Sequence, residues 1–249
     1  MTKKAAPKVK SPTVKVMLST FDDRDDKPLY RVIRDGVKLK DFAAVTPDDY
    51  APWGATPLLD AVVEFIEGSL SRAKKTTVTI GLLLDESGSM SGNRLAVIDS
   101  VNEFVDGLKE VGKVDPKTAG KGFLVIATDG NENASRKHKY EDVTAMVKKA
   151  EKEGWVTIFL GANMDAWEQG NKLGLSGSAT GQSVNFTSTD RGTRSALRGT
   201  TQSAVGYLGD HDQYMAQASA APKRTITEDG DENEDPFAQP TPPASRGVK

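Results

Sequence analysis

The chain has 249 residues, with 33 Lys and Arg against 35 Asp and Glu, for a formal net charge of -2. That length accommodates one large α/β domain with a core of its own plus tails, and the charge balance predicts no general attraction to nucleic acid or to anionic membrane. The lack of cysteine excludes disulfides, thiolate metal sites and a cysteine nucleophile, and the two histidines, His138 and His211, are too few for a histidine-rich zinc site.

Residues 1–12, MTKKAAPKVKSP, are basic and lack the apolar centre of a signal peptide, so we expect a disordered arm on a cytoplasmic protein. No apolar run approaches the roughly 20 residues that a membrane helix needs. Residues 13–21 alternate as a strand does, with Val14, Val16 and Leu18 on one face. The acidic stretch 22–26 lacks the Gly and the closing Glu of an EF-hand and reads as a solvated turn. Segments 29–34 and 37–42, joined by Asp35-Gly36, predict a hairpin at a sheet edge.

Leu59, Val62, Val63, Ile66 and Leu70 repeat at helical spacing, which places Thr56 and Pro57 at a helix start. The run Val78, Ile80, Leu82, Leu83, Leu84 has the length and branching of a central parallel strand covered on both faces. It enters the loop Asp85-Glu86-Ser87-Gly88-Ser89-Met90, where one carboxylate and two hydroxyls recur at every second position. Such oxygen ligands suit a hard divalent cation, Mg2+ or Mn2+. The same residues also suit the capping of the next helix.

Val97, Val101, Phe104, Val105 and Leu108 mark that helix, and 112–122 is a loop. Residues 123–128 form a second apolar strand ending in the acidic turn Asp129-Gly130-Asn131-Glu132-Asn133. Residues 140–152 are helical, 155–160 form a third core strand, and a helix carrying Ala166, Trp167 and Gly170 follows. Residues 174–189, rich in Gly, Ser and Thr, read as an irregular surface loop, and 194–208 as a last helix. The domain is expected to span 13–210, and 211–249 to be a disordered acidic and proline-rich tail, with Phe237 as the one candidate anchor of a docking peptide.

Strands alternating with amphipathic helices predict an α/β fold: a doubly wound, mostly parallel, Rossmann-like sheet with helices on both faces. Ligands of such sheets sit beyond the carboxyl ends of the strands. Asp85, Ser87, Ser89, Thr56 and Asp129 all fall at such ends, which favours a shared metal site over separate caps.

With these residues in hand, the chain resembles the von Willebrand factor A family. The resemblance rests on the DxSxS loop of Asp85, Ser87 and Ser89, on Thr56 in GATPLLDA, and on Asp129 in IATDG, and it covers about 14–206. The wording of STFDD, ATDGNENAS and FLGANMDA is similar to that of small members carried by bacteria and bacteriophages. The resemblance implies a metal-ion-dependent adhesion site. Asp85, Ser87 and Ser89 would hold Mg2+, Thr56 would add a hydroxyl directly or through water, and Asp129 would bind through water. An acidic side chain of a protein partner would complete the shell. It implies a binding module rather than an enzyme. The alternatives are a scaffold role, such as a phage particle component with incidental metal, and a metal-dependent hydrolase, against which the motifs hold no histidine or lysine to act as general base.

One departure concerns order. In the family the DxSxS strand comes first; here residues 12–75 precede it, and moving them to follow Lys113 would restore the usual order. Both joints lie at the sheet edge opposite the motif loops, so the expectation is that only far-side loops are rewired. The loop 112–122 reaches about 36 Å when fully extended. If the DxSxS helix keeps its face, the step from its strand to the Asp129 strand becomes a left-handed crossover, a form found in about 2% of such units.

Overall fold

The computed structural model describes residues 10–24, 27–162, 164–175, 180–218 and 224–225. Seven strands, β1 (Thr13–Arg24), β2 (Lys27–Lys38), β3 (Thr77–Asp85), β4 (Gly122–Thr128), β5 (Val156–Ala162), β6 (Gly181–Phe186) and β7 (Arg224–Thr225), form one sheet in the order β2-β1-β3-β4-β5-β6-β7. Only the edge pair β1–β2 is antiparallel. The strand that enters the DxSxS loop, β3, thus lies between the strand block that precedes it in sequence and the one that follows. No helix among the described residues is long and apolar enough to cross a membrane.

Among the described residues six helices cover the sheet: α1 (Leu58–Arg72), α2 (Arg94–Lys109), α3 (Tyr140–Lys152), α4 (Ala166–Lys172), α5 (Asp190–Gly209) and α6 (His211–Ala218). Alternation along the strands sends successive side chains to opposite faces. Ile80, Leu82, Phe123, Val125 and Ile158 pack with α2, α5 and α6, whereas Leu83, Leu124, Ile126 and Phe159 pack with α1, α3 and α4. All nine residues of β3 are buried, as a two-sided apolar strand should be.

The placement of α2 has a topological consequence. The units β4–α3–β5 and β5–α4–β6 each step one strand along the sheet with the helix on one face, and β3–α2–β4 steps the same way with its helix on the other. The unit leaving β3 is therefore opposite in hand to the two that follow. The connection β6–α5–α6–β7, which steps the same way with its helices on the face of α2, shares the hand of β3–α2–β4.

Three sequence expectations are corrected. Asp35-Gly36 is not a hairpin turn: β2 runs through it, and these two residues oppose Met17 alone, between the pairs Val16↔Val37 and Leu18↔Arg34. Gly36, at φ 58°, supplies the left-handed residue that such a bulge uses. The hairpin is instead β1–β2, closed by the pair Arg24↔Lys27, and Asp25 and Asp26 between them lie outside the described residues. The second correction is β6, found where a Gly/Ser/Thr-rich loop was expected; its inward residues Val184 and Phe186 are buried and it pairs in parallel with β5. Third, the domain does not end at 210. Helix α6 lays Tyr214 against Phe123 and Tyr207, with ring centroids 6.0 and 5.6 Å apart. The arm before Lys10 and the tail beyond Thr225 lie outside the described residues.

Candidate functional site

The carboxyl ends of β3 and β4 end in Asp85 and, one residue beyond Thr128, Asp129. Asp85 is fully buried. One of its oxygens accepts from the Ser87 backbone N–H at 2.7 Å and the other from the Thr128 hydroxyl at 2.5 Å. Tyr50, buried in the loop after β2, donates its phenol to the Asp85 carbonyl at 2.6 Å and fixes the backbone where strand becomes loop.

The hydroxyls of the motif turn toward each other. Ser87 Oγ and Ser89 Oγ are 3.1 Å apart, and Ser89 Oγ donates to Asp129 Oδ1 at 2.6 Å. Thr56 reaches the same place from the other side: a Cβ built on Gly130 would lie 2.7 Å from its Oγ1. Only a glycine after Asp129 lets the β4 loop come this close to Thr56. All five residues singled out from sequence are thus brought to one end of adjacent strands.

The capping alternative meets a direct answer. The cap position of α1 is Pro57, not Thr56, and the amides of Leu59 and Asp60 are taken by Glu132 Oε2 (2.9 Å) and Ser135 Oγ (3.1 Å). Ser87 precedes the 3-10 turn Gly88–Asn93 without a side-chain cap, and α2 begins after Asn93, which makes none either. Ser87, Ser89 and Thr56 are not used as helix caps.

Electrostatics point the same way. Burial raises the Asp85 carboxyl to about 7, only partly offset by the Thr128 and Ser87 hydrogen bonds, and the neighbouring Asp129 adds to the rise. Among the described residues no Lys, Arg or His pairs with Asp85 or Asp129. Asp85 is thus a desolvated carboxylate with the half-exposed Asp129 beside it and no protein countercharge among the described residues, and a divalent cation is the kind of group that supplies one. Among the described residues no group of three or more His, Cys, Asp or Glu is placed to hold a metal ion by itself. The donor set here is mixed, two carboxylates and three hydroxyls, and its all-oxygen character fits Mg2+ or Mn2+.

A comparison of the chain with protein-family models, with curated proteins and with solved structures finds no match. The site is accordingly read from its own geometry.

Several residues that hold the site were not singled out from sequence. Glu86, between Asp85 and Ser87, is fully buried and points away from them. Its two oxygens accept from Arg31 Nη2 at 2.6 Å, and one accepts from the Ala51 N–H at 2.5 Å. Its backbone N–H donates to Phe21 O (2.7 Å) and its carbonyl accepts from Trp53 N (2.6 Å), so the motif loop is tied to β1, to β2 and to the loop that carries Thr56. Arg24 bonds Asp22 at 2.6 Å in the same layer, and burial raises the Asp22 carboxyl while Arg24 opposes the rise. Asp22, expected in a solvated turn, is fully buried within β1.

Asn133 clamps Thr56 in both directions: its side chain accepts from the Thr56 N–H at 2.8 Å and its own N–H donates to the Thr56 carbonyl at 3.2 Å. Asp60 returns the bond, accepting from the amides of Arg136, Lys137 and His138 at 2.8–3.3 Å. The signal for these residues was present in ATDGNENAS and in the Asp-Glu pair of the motif, but their partners lie 35 to 78 residues away in sequence.

Proposed function

We propose that the protein is a divalent-metal-dependent protein-binding module, with Mg2+ or Mn2+ held at the carboxyl ends of β3 and β4. Asp85, Ser87 and Ser89 would hold the ion, Thr56 and Asp129 would contribute directly or through water, and an acidic side chain of a protein partner would complete the shell. The bound cation supplies the positive charge that attracts that carboxylate. The chain's own residues do the rest: Glu86 and Tyr50 fix the motif loop, and Asn133 fixes Thr56.

One observation carries this reading. The hydroxyls of Ser87 and Ser89 and two carboxylates meet at a strand end, with Thr56 Oγ1 close to Gly130, no capping role for the hydroxyls and no cationic side chain paired with the carboxylates among the described residues. That set has a use as a cation site and no other evident use in the fold. The resemblance to the von Willebrand factor A family points the same way, including its small members from bacteria and bacteriophages.

The experiment is a pull-down from the native host with Mg2+ or with EDTA, beside a calorimetric titration of Mg2+. Metal-dependent capture, lost in Ser89→Ala, supports the module. Mg2+ binding without any effect of EDTA on capture transfers the function to a scaffold surface with incidental metal, and no binding of either ion refutes the metal reading.

A further inference from the structure

Three large apolar side chains stand exposed among the described residues, Val32, Trp53 and Leu95. Two of them flank the candidate site. Trp53, 63% exposed, hangs from the residue whose N–H bonds Glu86 O, and its neighbour Gly54 accepts from the Gly88 N–H at 2.9 Å. Leu95, 65% exposed, is the second residue of α2, directly after the turn that closes the motif loop. Two apolar side chains beside a carboxylate-seeking cation define a surface for a peptide that carries acidic and apolar residues close together.

The far edge of the sheet directs such a peptide toward this surface. β7 pairs in parallel with β6, so the chain leaves it toward the end of the sheet that bears Asp85 and Asp129. The register is level: Thr225 pairs with Asn185, Asn185 with Gly161, and Gly161 with Thr128, the residue before Asp129. Three strand spacings of about 4.8 Å separate β7 from β4, a lateral distance of about 14 Å. The residues after Thr225 read ITEDGDENEDPF, with carboxylates at Glu228, Asp229, Asp231, Glu232, Glu234 and Asp235, no Lys or Arg among them, and Phe237 following. At about 3.3 Å per residue, a carboxylate from Asp229 onward spans the 14 Å, and Phe237 reaches about 40 Å.

Resting on the metal reading above, we propose that this surface is filled by the chain's own segment 228–237: one of its carboxylates completes the cation's shell, Phe237 lies against Trp53 and Leu95, and an external partner must displace it. A tether this short holds the segment at a local concentration on the order of millimolar. The segment therefore acts as a built-in competitor, setting a threshold that weak acidic ligands do not cross.

The test uses the full-length protein and a full-length variant with a neutral tail, carrying Glu228→Gln, Asp229→Asn, Asp231→Asn, Glu232→Gln, Glu234→Gln and Asp235→Asn. Each is titrated with Mg2+ and then, in about 0.15 M salt, with a synthetic peptide of residues 226–240. The expected result is peptide binding to the neutral-tail variant in Mg2+ but not in EDTA, and about ten-fold weaker binding to wild type, whose site is already filled. A Phe237→Ala peptide binds the variant more weakly; equal binding would remove Trp53 and Leu95 from the surface. Mg2+ binding by both proteins with equal peptide affinity, or with no peptide binding, overturns the tail proposal and leaves the metal site standing. Failure of both proteins to bind Mg2+ overturns the metal reading itself.

Discussion

The two ends of the sheet are built on different principles. At the carboxyl end, carboxylates meet hydroxyls and backbone amides: Asp85 with Ser87 and Thr128, Ser89 with Asp129, Glu132 with Leu59, Asn133 with Thr56. Beside them Glu86 and Asp22 are paired with Arg31 and Arg24, while Asp85 and Asp129 pair with no cation among the described residues. At the opposite end, carboxylates meet a cation or backbone amides. Lys117 pairs with Asp212, Lys121 Nζ lies 3.1 Å from His211 Nε2, and Asp115 accepts from the amides of Lys117 and His211. The strands are joined at this end through residues 73–76 and 110–121.

The sharpest way to break this contrast is to remove the buried carboxylate. Asp85→Asn preserves the shape, its amide oxygen accepting from the Ser87 N–H and its NH2 donating to the Thr128 hydroxyl, so the protein folds, while affinity for Mg2+ measured by calorimetry falls at least about 100-fold, the loss of a charged ligand from a hard-cation site. Retained affinity would place the ion elsewhere.

A second way uses pH. The Asp85 carboxyl titrates at about 7 in the folded protein and at its ordinary 3.8 in the unfolded chain, so between these limits the folded state holds the proton and the unfolded state does not. Stability without metal therefore falls as pH rises from about 4 to about 7, by at most about 4 kcal/mol at 1.36 kcal/mol per unit. Denaturant titrations at pH 5 and pH 7.5 in EDTA measure the slope. Saturating Mg2+ flattens it, because the ion binds the ionised form. A stability that rises over this range in EDTA would contradict a desolvated, uncompensated Asp85.

Smaller effects sharpen the geometry. Gly130→Ala places a methyl group 2.7 Å from Thr56 Oγ1, which pushes the β4 loop from the Thr56 hydroxyl. We expect Mg2+ affinity to drop about ten-fold, which is about 1.4 kcal/mol, with the melting temperature little changed. Asn133→Ala leaves the Thr56 N–H without its acceptor and costs about 1–3 kcal/mol of stability in a thermal or denaturant melt, together with weaker Mg2+ binding. At the other end, Lys117→Ala breaks an exposed pair and leaves both melting temperature and Mg2+ affinity unchanged. An effect of Lys117→Ala on the ion would mean that the two ends are coupled.

The parts legible from sequence are those fixed by local pattern. β3, β4 and β5 are short branched runs, α3 has a clean apolar stripe at Val143, Val147 and Ala150, and each was readable within a residue or two. That the five candidate residues lie at one end of the sheet was readable because each motif is contiguous and sits at a strand or helix end. β6 was hidden because only Val184 and Phe186 carry its burial, and four of its six residues are Gly, Gln, Ser or Asn. Asp35-Gly36 was misread because the same left-handed glycine serves a turn and a bulge, and pairing with β1 decides between them. Glu86 read as a loop acid because nothing local marks Arg31, 55 residues earlier, as its partner.

The most direct test of the central claim is Mn2+-induced broadening of backbone amide signals in a nuclear magnetic resonance titration of the full-length protein. The account predicts that the amides of Ser87, Ser89 and Gly130 vanish first, at sub-stoichiometric ion, while those of Lys117 and Lys121 at the other end of the sheet stay sharp. Uniform broadening, or broadening that spares Ser87, Ser89 and Gly130, would contradict it.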